Sequence, residues 1–165
     1  MFPVSMLDLL LVILVSYLWG AFPSAYVVGR YALGIDIRRY GSGNVGASNI
    51  YEFMGFWTGL GLGIFDCVIK GVLPVLTARM MDQGLSIQAS AGLLAIAGHN
   101  WSPYIRFTGG RGIATTIGVL IGLAMWKELL TMAIIMGVVG KVFFRDFGLW
   151  TIIAMLTLPL MTLLF

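Results

Sequence analysis

Charge is scarce in this sequence. Only 10% of its 165 residues are charged, where a soluble domain carries about 25%. There is too little polar surface here to cover a water-soluble globule. Cysteine is all but missing. Cys67 stands alone, which excludes an intrachain disulfide and leaves no sign of an oxidising compartment. His99 is the only histidine, and no Cys/His spacing suits zinc or haem, so neither a metal nor a cofactor is expected. The first apolar run has no basic segment before it, and positions 9–29 are uncharged. A removable secretory signal would need the basic segment and a shorter apolar core, so the run reads as a retained helix. Basic residues exceed acidic ones, 10 to 7, but they sit at the ends of apolar runs without interleaved aromatics. That pattern sets membrane topology and argues against nucleic acid as a partner. Repeats, heptads and low-complexity stretches are absent.

What is present is apolar: 59% of the chain, with 22 glycines. The expectation is an all-α polytopic membrane protein, a single integral-membrane domain over residues 1–165. About six transmembrane or partly spanning helices are expected. The gaps between charges place them at about Leu7 to Val28, Phe53 to Ala78 and Gln83 to Gly98, then at 112–126, 129–140 and 147–165. A span needs roughly 20 residues, so the fourth and fifth runs must end in snorkelling or protein-buried segments. With the N-terminus outside, Arg30, Arg38, Arg39, Arg106, Arg111, Lys141 and Arg145 face the cytoplasm, and only Arg79 and Lys127 lie outside. Glycines 59, 61 and 63, and glycines 118 and 122, suit close helix packing. Asp66 and Lys70, at i and i+4 in the second helix, read as a mutual ion pair that lowers the cost of burial.

Two glycine-rich loops on the cytoplasmic side hold most of the polar chemistry. In the first, Gly41, Gly43 and Gly46 free the backbone to turn N–H groups toward one point. Ser42, Asn44, Ser48 and Asn49 add hydroxyls and amides, and Arg38 and Arg39 add charge. Such a nest suits an anion attached to a polyol; a solvated turn is the bland alternative. The second loop runs from His99 and Asn100 to Gly109, Gly110, Arg111 and Gly112, and then opens a helix containing Thr115 and Thr116. Orphan N–H groups and the helix dipole attract phosphate at such a start, and Arg111 supplies a planar donor fork. The Gly-Lys-Ser/Thr of a Walker A loop is missing. His99 reads first as a satisfied structural group and second as a general base.

Two phosphate-suited loops on one face suggest two anionic ligands brought together beside lipid. Read in order, Gly41-Ser42-Gly43-Asn44 with Gly46-Ala47-Ser48-Asn49, Asp66 through Lys70-Gly71, His99-Asn100-Trp101 and Gly109-Gly110-Arg111-Gly112-Ile113-Ala114-Thr115 resemble a known family. It is the bacterial acyl-phosphate-dependent glycerol-3-phosphate acyltransferase family (PlsY-like), and the resemblance runs from about Tyr17 to Pro159. It implies a metal-free enzyme of the bacterial plasma membrane that moves a fatty acyl group from acyl phosphate to glycerol 3-phosphate, giving lysophosphatidic acid. By that resemblance Ser42, Arg111 and His99 are the catalytic candidates. Arg38, Gly41, Gly43, Asn44, Gly46, Asn49, Asn100, Gly109, Gly110, Gly112 and Thr115 are expected to bind substrate and phosphate. Membrane lipid and the two small substrates are the implied partners.

Departures from the family pattern accompany the match. Arg111 stands where the family usually has lysine, and Glu52 where it commonly has arginine. Glu52 is expected either to face the ligand or to pair with Arg38 or Arg39. Gly148 replaces a serine, and the sequence stops at Phe165, where the family continues into a last helix with histidine and asparagine. A catalytically impaired or divergent paralogue that binds a phosphorylated metabolite or lipid, or a small anion transporter, are the competing expectations.

Overall fold

The computed structural model of the chain describes residues 6–143 and 147–164. Every regular element among them is helical, and the only β-type feature is an isolated antiparallel bridge between Ser102 and Thr108. The chain forms two compact units, Met1–Leu123 and Ala124–Phe165. In the first, α1 (Met6–Gly20) and α2 (Ser24–Ala32) precede the first loop. Helix α3 (Ala47–Phe65) runs through a π-helical segment, Asp66–Val72, into α4 (Leu73–Met80). Helices α5 (Leu85–Asn100) and α6 (Ile113–Gly122) flank the second loop. The second unit holds α7 (Trp126–Ala133), a π-helical continuation Ile134–Phe143 and α8 (Phe147–Leu164).

The expected first helix is two helices. Pro23 has no N–H and disfavours helical backbone at Phe22, so the ladder stops after Gly20. The freed carbonyl of Ala21 accepts the buried Ser102 hydroxyl at 2.6 Å, so the break is satisfied from the second loop. The second helix begins six residues earlier than the charge of Glu52 suggested, at Ala47, because polar and acidic residues are at home in a first turn. It breaks once, at Gly55, where φ is +79°. The piece before the break folds back toward the piece after it: a side chain on Gly59 would meet the Tyr51 Cβ at 2.6 Å. Farther on, Pro74 cannot donate to Ile69 O, and that carbonyl instead accepts the Trp19 indole N–H at 2.6 Å. Alanine 124, at φ +57°, falls inside the fourth expected run and ends it early, so that α6 stops at Gly122 and α7 starts at Trp126.

Glycine sets the distance between helices in the first unit. Gly20 lies against the Ala95 backbone and Gly98 against the Tyr17 carbonyl, joining α1 to α5. Gly71 and Gly118 bring the π-helical segment onto α6, with Gly118 facing the Cys67 carbonyl. Gly122 packs on Val75, but Gly61 and Gly63 have room to spare. Outward faces carry Leu10, Leu14, Leu18, Ile64 and Leu93 in the open. Large apolar side chains turned outward along every span are what a lipid solvent requires. Leu9–Ala32 and Ala47–Met80 are long and apolar enough to cross a bilayer, and the fold is that of a multi-pass membrane protein.

Candidate functional site

The first loop is organised by one side chain. Asn49 is fully buried, and its amide nitrogen donates to the carbonyls of Ile37 at 3.2 Å, Tyr40 at 3.0 Å and Asn44 at 3.1 Å. Its Oδ1 accepts the Ser42 N–H at 3.1 Å. Left-handed backbone at Gly41 (φ +56°) and Gly43 (φ +69°) lets the chain wind around this amide. Substrate contact is expected of Asn49 from the sequence; the structure places its polar atoms on the loop itself and not on the cleft described below. Arg38 is likewise engaged within the loops. Its guanidinium grips Asp36 at 2.6 and 2.8 Å, reaches Ile105 O at 3.2 Å and lies over the Tyr26 ring at 5.0 Å. It therefore ties the first loop to the second and does not line the cleft described below. Hydrogen bonds from the Arg38 side chain hold the Asp36 carboxyl down at about 2.

The glycines of the second loop have a related task. A side chain on Gly109 would strike the His99 and Asn100 carbonyls, one on Gly110 the His99 imidazole and the Val45 carbonyl, and one on Gly112 the Asn100 amide oxygen. These positions let the loop lie on the C-terminal end of α5, a reason different from the ligand approach expected of them. Gly112, left-handed at φ +72°, starts α6 without any side-chain cap. Gly46 starts α3 in extended backbone, also uncapped.

These two helix starts line one cleft of about 220 Å³, together with Asn44, Ser48, Asp66, His99 and Arg111. The N–H groups of Ala47 and Ser48 on one side, and of Ile113 and Ala114 on the other, precede the first intrahelical bonds, Asn49 N to Gly46 O and Thr116 N to Gly112 O. Two positive helix ends and a guanidinium thus meet around one space, an arrangement that attracts a dianion.

Of the expected site residues, Asn44, Gly46, His99, Arg111 and Gly112 line this cleft. Ser42 does not; it is exposed on the first loop, where its hydroxyl is 3.5 Å from the Asn44 N–H. Gly41 and Gly43 shape that loop, and Asn100 stands behind Gly112. Thr115 is completely buried with its hydroxyl unpartnered, and its carbonyl faces Gly71. Glu52 is exposed beside Gly41, where its Oε2 would lie 3.0 Å from an added Cβ. Neither expected orientation of Glu52 is found among the described residues: it forms no ion pair with Arg38 or Arg39, and it does not line the cleft. Arg145 and the surroundings of Lys141 and Gly148 lie outside the described residues.

Beneath the cleft is a buried network. Lys70 Nζ lies 2.7 Å from Asp66 Oδ1, so the expected i, i+4 pair is formed. The Ser24 hydroxyl donates to the same oxygen at 2.6 Å and accepts from Lys70 at 2.8 Å. Lys70 also faces His99 Nδ1 at 3.4 Å. With an ammonium as its neighbour that nitrogen acts as acceptor, so the lone pair a general base would use is turned inward. From sequence Asp66 has the role of half an ion pair, within one of the motifs that carry the resemblance. Its place in the cleft wall was missed because the partner residues come from three distant parts of the chain.

The family model described as glycerol-3-phosphate acyltransferase matches residues 10–165. "Glycerol-3-phosphate acyltransferase 2" of Moorella thermoacetica is 43% identical over 160 residues, covering 94% of this chain and 78% of its own. "Glycerol-3-phosphate acyltransferase 4" of Dehalococcoides mccartyi is 48% identical over 124 residues. There the match takes in 75% of this chain but about half of the relative, 53%. Among solved structures, PlsY (YgiH), described as an integral membrane glycerol 3-phosphate acyltransferase, superposes in its glycerol 3-phosphate form with a TM-score of 0.82. That match has 26% identity and covers 95% of this chain and 77% of the other; the lysophosphatidic acid form gives 0.78.

Proposed function

The chain belongs to the glycerol-3-phosphate acyltransferase family, and from that premise we propose that its cleft gathers the phosphate groups of acyl phosphate and glycerol 3-phosphate for acyl transfer between them. The observation that carries this reading is the convergence of two uncapped helix starts and Arg111 on one small space. An acyl phosphate is already activated and leaves as a stable anion. Holding the two reactants together and stabilising charge on the departing phosphate therefore accounts for most of the catalysis. Arg111 and the α6 start hold one phosphate, and Asn44, Ser48 and the α3 start approach the other. Ser42 and His99 act at the margin, Ser42 from the loop surface and His99 through the wall it forms with Asp66. The product is lysophosphatidic acid, and the active cleft opens toward the cytoplasm of a bacterial plasma membrane, with the N-terminus outside. The whole chain works as one membrane domain.

The test is acyl transfer from palmitoyl phosphate to glycerol 3-phosphate by the purified protein. A charge-assisted contact is worth roughly 1.5–3 kcal/mol, so Arg111→Ala lowers kcat/KM by about tenfold or more. Arg111→Lys, which keeps the charge but loses the fork, falls between. Unchanged turnover in a folded Arg111→Ala variant returns this arginine to a topology role. Phosphate binding without turnover in the wild type identifies a non-catalytic relative.

A further inference from the structure

The cleft contains one group of the wrong sign for a phosphate. Asp66 lines it and is 1% exposed, and it brings a carboxylate to a space whose other polar edges are the helix-start N–H groups, Asn44, Ser48, His99 and Arg111, with Ala47, Ala114 and Ile117 as apolar wall. A structural ion pair accounts for Lys70, which is 2% exposed, but not for placing its carboxylate partner in the wall of the cleft.

The contacts of Asp66 are lopsided. Lys70 Nζ at 2.7 Å and the Ser24 hydroxyl at 2.6 Å both fall on Oδ1. On the Oδ2 side the contact is His99 Nδ1 at 4.0 Å, beyond hydrogen-bond reach. A carboxylate offers about four acceptor positions, so two filled on one oxygen leave capacity on the other. Buried polar atoms in proteins find partners. In a cleft that draws anions, the donor that suits a carboxylate is an uncharged O–H. Ser24 and Lys70, from α2 and the π-helical segment, fix the orientation of the group and balance its charge.

We propose that Asp66 is a hydroxyl-anchoring residue, its Oδ2 accepting a hydrogen bond from the polyol end of a polyol phosphate whose phosphate is held at Arg111 and the helix starts. This rests on the cleft being the phosphate site. It gives the cleft a polarity: cationic at the loop end, where phosphate sits, and an acceptor at the floor, where the sugar-alcohol hydroxyls reach. Asp66 thereby selects a hydroxylated substrate over a bare phosphate.

The experiment compares dissociation constants for glycerol 3-phosphate and inorganic phosphate on the full chain in detergent, with thermal unfolding recorded for each variant. Wild type binds glycerol 3-phosphate more tightly by about tenfold or more, the effect of one hydrogen bond to a charged group. In Asp66→Asn this preference falls to about twofold while inorganic phosphate binds as before. Asp66→Asn/Lys70→Met, which leaves no uncompensated ammonium, behaves in the same way and decides the matter if the single variant does not fold. If both affinities fall together in the folded variants, Asp66 is structural and the proposal is overturned. A wild type that binds phosphate with no preference for glycerol 3-phosphate also overturns it, leaving the phosphate site intact. A wild type that binds neither removes the phosphate site and this proposal with it.

Discussion

Asn49 shows what a single amide can do in a loop without regular structure. Three carbonyls and one N–H from positions 37 to 44 are satisfied by its side chain. Asn49→Ala takes the side-chain partner from the Asn44 carbonyl and the Ser42 N–H, while the Ile37 and Tyr40 carbonyls keep the Tyr40 and Gly43 N–H groups. At about 1 kcal/mol for each group orphaned, the cost is roughly 2–3 kcal/mol. Asn49→Asp is worse, because it sets an acceptor against three acceptors. The expected outcome is a large drop in unfolding temperature in both variants, with the aspartate lower. A folded Asn49→Ala of wild-type stability that had lost only substrate binding would restore the ligand role. The side chains named in the sequence as site residues were chosen for their chemistry, and Asn44 and Arg111 do line the cleft. Asn49 and Arg38 carry the same chemistry but are occupied by partners that spacing alone does not disclose. Asp66 is the converse: a residue assigned to packing from its i, i+4 neighbour, which the fold brings to the cleft.

Helix positions were legible in outline because charge marks the ends of apolar runs, and each of the six expected runs contains a helix near the expected place. The breaks were harder to place. Pro23 ends α1 inside an uncharged run, and the fold-back at Gly55 depends on a positive φ that any glycine in the segment could have supplied. The same difficulty applies to packing, where Gly59, Gly61 and Gly63 look alike in sequence but only Gly59 is tightly covered. This gives a paired test in thermal unfolding. Gly118→Ala drives a methyl group into the Cys67 carbonyl and costs about 1–3 kcal/mol. Gly61→Ala meets open space on a helix and is neutral or stabilising by about 0.4–1 kcal/mol. Because α6 also presents an end to the cleft, Gly118→Ala weakens phosphate binding as well. Equal effects at the two glycines would contradict the packing described.

At the scale of the molecule, the distribution of basic residues predicts the sidedness of both loops. Ser42 and Thr108 are exposed on the loops, and Ser86 is exposed in the first turn of α5. In intact cells, an impermeant thiol reagent is expected to label a cysteine at Ser86 and to leave cysteines at Ser42 and Thr108 untouched; in inverted vesicles the pattern reverses. Labelling of Ser42→Cys from outside would overturn the orientation. The helix contacts described above also bear on how this protein tolerates change. At Gly20, Gly71, Gly98 and Gly118 the neighbour is backbone, which cannot rotate aside as a side chain can. Drift at these sites is therefore barred in every direction at once, and a saturation mutagenesis screen would score them as severely as Arg111. An intolerance map of this protein would trace two overlapping patterns, one of chemistry and one of helix spacing, and only substrate-dependent readouts would separate them.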